Sequence, residues 1–271
     1  MRLGIGSYTL VWAVGVPGFP RPKRPLTPLD LLDKAAALGV RVVQFADNLP
    51  LDRLTSGELK EVSQHAGQLK IELELGTQGI AAASLRKQLR LASRLPASLL
   101  RLVLDTDESQ PTPDEVIKRI RPIMPEFECA GVRLAIENHD RFHATTLLGI
   151  LDRLDSAYAG ICLDTANSFG CSEGPETILE ILGPRVFNLH LKDYVVQRMA
   201  HKKGFFIEGR AAGQGCLEIP HILRRLNEMG RDPNAIVELW PAPESSVAKS
   251  MAKENAWTET SVLYLRQFIP N

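Results

Sequence analysis

Leu134-Ala135-Ile136-Glu137-Asn138 is a short apolar run that ends on a carboxylate. Three more stretches repeat the design: Ile161-Cys162-Leu163-Asp164-Thr165, Phe187-Asn188-Leu189-His190-Leu191 and Ile236-Val237-Glu238-Leu239-Trp240. Each reads as a buried parallel strand leaving its sheet, with an acidic or imidazole side chain at the exit. Strand ends are rigid, so side chains placed there hold fixed geometry. Carboxylates and an imidazole converging on one point repel each other unless a divalent cation joins them. Glu137, Asp164, His190 and Glu238 are therefore the candidate ligands of one metal ion, and the set predicts a metal enzyme built on a barrel.

Outward from these stretches the same rhythm covers the chain. Strand-like runs fall near Leu3–Tyr8, Val40–Ala46, Lys70–Leu75, Leu99–Leu104, Val132–Glu137, Gly160–Asp164, Val186–Leu191 and Ala235–Leu239. They are rich in Val, Ile and Leu and almost continuously apolar, which suits strands covered on both faces. Helical patterns separate them, giving eight βα units and predicting an α/β fold of the (β/α)8 TIM-barrel type, with residues 1–271 as one domain. Thr27-Pro28-Leu29-Asp30 and Thr112-Pro113-Asp114-Glu115 carry N-cap, proline and capping-box signals for helix starts. Pro122 and Pro125 should split the helix that begins at Thr112. Gly39 and Gly131 read as left-handed C-caps, and Ser246 to Phe268 as a long closing helix.

Composition narrows the classes. Lys plus Arg and Asp plus Glu each number 32, so formal charge is zero, and 44% of residues are hydrophobic. A chain without cationic excess is not expected to bind nucleic acid by neutralising phosphates, nor an anionic membrane surface. Cys129, Cys162, Cys171 and Cys216 form no C-x-x-C pair and no disulfide framework. Nothing at the N-terminus reads as a signal peptide and no apolar run reaches the length of a membrane span, so a cytoplasmic location is the expectation.

Two βα connections are long: about Val11 to Leu26, rich in Pro and Gly, and about Asp193 to Cys216, which carries Arg198, His201, Lys202, Lys203, Glu208 and Arg210. Barrel handedness puts both on the face where active sites form, as candidate lids.

At the strand ends the chain resembles the xylose isomerase-like barrels, the superfamily of sugar and sugar-phosphate isomerases and epimerases. The matching pieces are Ile136-Glu137-Asn138-His139, Cys162-Leu163-Asp164-Thr165-Ala166-Asn167, Asn188-Leu189-His190-Leu191-Lys192-Asp193, Gly213-Gln214-Gly215 and Val237-Glu238-Leu239. The resemblance implies one divalent cation, Mn2+, Mg2+ or Co2+ in preference and Zn2+ as a further option, on Glu137, Asp164, His190 and Glu238. It implies that Glu137 and Glu238 also exchange protons with a keto-sugar through a cis-enediolate. Arg210 stands where relatives place a substrate-contacting arginine, with an ion pair to Glu208 as its competing reading. Asp193 is a candidate to orient His190 or a metal-bound water from behind. Lys192 and His139 could face substrate or solvent, and His143 is a loop histidine of the same kind. Relatives of the epimerase branch carry a histidine where this chain has Asn167. The amide can still hydrogen-bond a substrate but cannot carry a proton near neutral pH, which weakens a standard ketohexose 3-epimerase assignment.

The first functional expectation is therefore a metal-dependent isomerase or epimerase of a small keto-sugar or polyol. The second is a decarboxylase or other lyase of an oxo-sugar acid on the same scaffold, suggested by the cations Arg198, Lys202, Lys203 and Arg210, which could hold a carboxylate. An abasic-site endonuclease on this fold would need more histidines than the six present and a basic groove. A metal-free binding barrel would not need all four ligand-type residues. A small carbohydrate is the expected partner, and a homo-oligomer is compatible with the sequence.

Overall fold

In the computed structural model, which describes residues 1–270, eight parallel strands close into a barrel. The barrel strands are β1 (Leu3–Gly6), β2 (Val42–Phe45), β3 (Glu72–Gln78), β4 (Leu99–Val103), β5 (Arg133–Glu137), β6 (Ala159–Asp164), β7 (Val186–Leu191) and β10 (Asn234–Val237). Each pairs with its neighbours in sequence, and β10 pairs with both β7 and β1 to close the ring. Between β7 and β10 an antiparallel hairpin, β8 (Asp193–Arg198) and β9 (Phe205–Arg210), stands apart from the barrel sheet.

The helices are α1 (Val11–Val14), α2 (Pro28–Leu38), α3 (Ser56–Leu69), α4 (Ala82–Arg94), α5 (Pro113–Ile120), α6 (Met124–Ala130), α7 (Ala144–Leu154), α8 (Pro175–Leu182), α9 (Ile219–Glu228) and α10 (Val247–Leu265). Thr27 and Asp30 form the expected capping box at α2, and Thr112 and Glu115 do the same at α5. After Ile120 the chain passes through a 3-10 turn at Arg121–Ile123 before α6, the break that Pro122 and Pro125 predict. Gly39 and Gly131 take φ of 69° and 67°, the left-handed region that spares only glycine a Cβ clash. Lys70, expected to open a strand, is instead the left-handed cap of α3, and β3 runs on to Gln78.

Alternation along the strands creates two interiors. Leu100, Leu102, Leu134, Ile136, Ile161, Leu163, Leu189 and Leu191 face the helices and join one large core. Leu99, Ala135 and Cys162 form a separate small cluster inside the barrel, with Phe187 against it. The ring of Phe187 lies so close to β6 that a Cβ at Gly160 would sit 2.5 Å from it, so that position requires glycine. Above this apolar floor the inward positions turn polar: Gln44, Glu74, Arg101, Asn188 and His190 are all buried. No helix among the described residues is long and apolar enough to cross a membrane.

The long connections take different forms. The first folds into α1, pinned because the Glu254 carboxylate on α10 accepts the backbone N–H groups of Trp12 (2.9 Å) and Ala13 (3.2 Å). The second, expected to be a loop, is the β8–β9 hairpin, and it leaves Val196, Phe205, Phe206 and Ile207 exposed.

Candidate active site

Glu137, Asp164, His190 and Glu238 meet at the C-terminal mouth of the barrel, and each is almost wholly buried. His190 Nδ1 lies 3.0 Å from Glu238 Oε1, 3.5 Å from Glu137 Oε2 and 3.9 Å from Asp164 Oδ2. Local bonding aims each group. Asn138 bridges β5 to β6, accepting the Asp164 N–H at 2.7 Å and donating to the Asp164 carbonyl at 2.8 Å. Asp164 Oδ1 accepts the N–H groups of Ala166 and Asn167, which leaves Oδ2 turned toward the other acids. His190 Nε2 is 3.0 Å from Gln44 Oε1.

His190 Nδ1 is buried and makes no hydrogen bond, and the buried oxygens Asp164 Oδ2 and Glu238 Oε2 have only the shared Lys192 ammonium beside them. A buried polar atom in that condition is costly unless a further partner satisfies it. Two carboxylate oxygens and an imidazole lone pair within reach of one another fit a divalent cation, and Asp164, His190 and Glu238 form one such group. Glu137 joins His190 and Cys162 in an overlapping group. Burial pushes the Cys162 thiol well above its ordinary range, which makes it a weaker donor than the acids.

Two cations neutralise the acids. Arg101, buried in β4, donates from Nε to Glu137 and from Nη1 to Asp47 at 3.1 Å. Lys192 Nζ lies 2.8 Å from Asp164 Oδ2 and 2.9 Å from Glu238 Oε2, and donates to Asn167 Oδ1 at 3.2 Å. Burial works against the charge on Lys192, but Asp164, Glu238 and Glu137 outweigh it and hold its pKa above the usual lysine value. Burial likewise opposes ionisation of Glu137, and Arg101, His190 and Lys192 overcome it, so Glu137 stays well below the usual carboxylate range. Glu238 is lowered in the same way, burial being outweighed by His190 and Lys192. Asp164 is raised, because burial and its two acidic neighbours outweigh Lys192.

The acids open into a cavity of about 470 Å3 that also contains Tyr8, Asp47, Asp105, His139 and Asn167. Asn167 Nδ2 donates to Glu137 Oε1 at 2.7 Å. An adjoining apolar crevice is walled by Phe169, Phe206, Ile207 and Trp240, so the hairpin covers one side of the mouth. The remaining residues singled out in the sequence lie elsewhere. Arg210 pairs with Glu208 at 2.8 Å and does not line the cavity. Asp193 does not reach His190, because its carboxylate is occupied by the N–H groups of Tyr194, Gly213, Gly215 and Leu217. Arg198 stacks on Phe205, while Lys202 and Lys203 are exposed near the hairpin turn. None of these three lines the cavity, so its cations are Arg101 and Lys192 instead. His143 meets Glu173 outside it, at 3.2 Å.

Arg101, Gln44 and Tyr8 are the site residues that motif reading misses. The signal for two of them is visible afterwards: a long polar side chain inside an apolar strand, Leu100-Arg101-Leu102 and Val43-Gln44-Phe45, must find a partner in the barrel.

Strand order and the acid set together define a barrel with a group of possible metal ligands at its mouth. The chain belongs to the xylose isomerase-like TIM barrel family, whose model matches residues 32–268. It is 32% identical over 265 residues to a 3-oxo-isoapionate decarboxylase of Pectobacterium atrosepticum, covering 98% of this chain and 95% of that one. Its fold is similar to that of a D-psicose 3-epimerase determined in the presence of D-fructose (TM-score 0.75, 15% identity, 100% of each chain). It is also similar in fold to a xylose isomerase-like TIM barrel protein from Mycobacterium smegmatis in complex with magnesium (TM-score 0.70, 14% identity, 97% of each chain).

Proposed function

We propose that this protein is a divalent-metal-dependent decarboxylase of a small 3-oxo sugar acid. The observation that carries this reading is the binding state of Glu137. Its Oε2 accepts from Arg101 and its Oε1 from Asn167, and hydrogen bonds to the charged form lower its basicity toward a proton on carbon. Epimerisation through an enediolate needs a proton-exchanging group on each face of the carbon, and isomerisation needs at least one strong enough to take a proton from carbon. Decarboxylation needs none to remove a proton: the C–C bond to the carboxylate breaks, its electron pair passes into the neighbouring carbonyl as an enolate, and CO2 leaves. A proton is then added at carbon. The 32% identity across nearly the whole length to a decarboxylase of a 3-oxo sugar acid supports the same choice.

A cation held by Glu137, Asp164, His190 and Glu238 would stabilise the negative charge that develops on the carbonyl oxygen. The chain's own groups do the rest. Lys192 Nζ lies between the acids and the cavity, where it can donate to substrate oxygens. Arg101 fixes Glu137 and Asp47 and adds positive charge to the cavity wall. The hairpin residues Phe206 and Ile207, with Trp240, offer an apolar wall to the carbon face of a sugar.

The test is incubation of the Mg2+-loaded protein with 3-oxo sugar acids and, separately, with ketohexoses in D2O. Release of CO2 with one deuteron appearing at the former carboxyl-bearing carbon is expected. Deuterium entering a ketohexose beside its carbonyl, with no CO2 from any oxo acid, would return the function to an isomerase or epimerase.

A further inference from the structure

We infer that Gln44 and Glu74 decide which nitrogen of His190 carries the proton, and so make Nδ1 an electron-pair donor toward the acids. The inference rests on reading the four strand-end residues as a cation site, but the geometry behind it lies deeper in the barrel.

The Glu74 carboxylate on β3 accepts Asn188 Nδ2 at 2.8 Å and Gln44 Nε2 at 3.1 Å on one oxygen, and Asn234 Nδ2 at 2.9 Å on the other. A carboxylate has no N–H to offer, so these amides must present their NH2 groups to it. That fixes Asn188 with its oxygen toward Gln44, where it receives the same Gln44 NH2 at 3.1 Å. The Gln44 side chain thus has its nitrogen committed on both sides, and its oxygen is left pointing at His190 Nε2, 3.0 Å away. An acceptor at that place calls for an N–H on Nε2. Whenever the ring is neutral its lone pair is then on Nδ1, the atom 3.0 Å from Glu238 and without a hydrogen bond of its own.

Gln44, Glu74 and Asn188 are each buried, so water cannot substitute for any of them. Burial holds the Glu74 carboxyl above its ordinary range, offset only in part by the N–H groups of Asn234 and Gln44, and in either protonation state it offers no N–H to those amides. The four residues come from β2, β3, β7 and β10, which makes the orientation a property of the closed barrel and not of a local turn. Gln44 and Glu74 are positioning residues: they act on the chemistry only through His190.

Long-range 1H–15N spectra of 15N-labelled, metal-free protein above neutral pH read the tautomer directly. The wild type should show His190 with a protonated Nε2 and a bare Nδ1. Gln44→Met cannot accept the N–H, and Glu74→Leu releases the three amides it holds, Gln44 among them, so each should shift His190 toward Nδ1 protonation. Mg2+ affinity by calorimetry should fall by about 10- to 100-fold in both. The double variant Gln44→Glu/Glu74→Gln restores an obligate acceptor beside His190 and should recover the wild-type tautomer. Should one single variant not fold, the other and the double variant carry the test. Retention of the wild-type tautomer and affinity in the single variants overturns the inference. Tautomer shifts as expected in a protein that binds no Mg2+ would support the orienting role and sink the cation-site reading instead.

Discussion

Replacing Lys192 by methionine separates the two roles its ammonium could have, charge neutraliser or bystander. Its Nζ is the one cationic group within 3 Å of both Asp164 (2.8 Å) and Glu238 (2.9 Å), and its side chain is only 16% exposed. Deleting one partner of a buried ion pair costs about 3–5 kcal/mol, because the remaining charge stays desolvated and unpaired. Partial exposure puts Lys192 toward the lower end. At about 2–4 °C per kcal/mol, the metal-free variant should melt on the order of 10 °C below the wild type. Added Mg2+ reverses the balance, since a divalent cation returns positive charge to the same oxygens without meeting an ammonium. Mass action gives about 2.7 kcal/mol of stabilisation at a free concentration of 100 Kd, so a tighter Kd in the variant appears as a larger shift at equal Mg2+. Differential scanning fluorimetry with EDTA and across a Mg2+ series measures both quantities. A metal-free variant that melts with the wild type, or a Mg2+ shift no larger than the wild type's, refutes the argument that Lys192 and a cation compete for one pair of acids.

Three further substitutions address other parts of the site. Glu238→Gln should lower kcat/KM by about 100-fold or more while far-ultraviolet circular dichroism stays unchanged, because it alters a candidate ligand and not the packing; full activity would remove Glu238 from the chemistry. Arg101→Lys keeps a charge but not the fork that holds Glu137 and Asp47 together, and should cost about 1.5–3 kcal/mol in kcat/KM, read by steady-state kinetics. Glu254 tests the α1 anchor. Burial raises its pKa to about 8 against the pull of the Trp12 and Ala13 N–H groups. The native state then binds a proton that the unfolded chain has lost, so this contribution is full below the ordinary carboxylate range and declines as pH rises toward about 8. Urea unfolding across that window should show the stability gap between wild type and Glu254→Gln changing in that direction, and a gap independent of pH would contradict it.

The barrel and its four strand-end residues were legible because period and position coincide: an apolar run that ends on Glu137, Asp164, His190 or Glu238 has one sensible place for that residue. Capping boxes at Thr27 and Thr112 and the break at Pro122 and Pro125 were equally local, and the helices obey them. Contacts that span the barrel were not legible. Arg101 on β4 meets Glu137 on β5, and Gln44 on β2 meets His190 on β7, pairings that depend on ring closure and leave no trace in spacing. The cationic segment after Asp193 misled for a related reason. Its charges lie along a hairpin whose turn holds Lys202 and Lys203 outside the cavity lining, so their density in sequence says nothing of where they project. Asp193 itself is explained by Gly215, where any Cβ would lie 2.1 Å from the Asp193 carboxylate: the close approach of loop backbone claims that side chain before His190 can.

That same carboxylate separates what is fixed from what can vary. His190 lies next to the end of β7 and Lys192 follows the strand, and directly after them Asp193 gathers the N–H groups of Gly213, Gly215 and Leu217, riveting the start and finish of the excursion to one spot. The chain from Tyr194 to Arg210 leaves and returns at that rivet, so it can be lengthened, trimmed or exchanged without transmitting strain to the residues below. Substrate range in such a scaffold is then free to drift through the canopy while the reactive centre keeps its geometry.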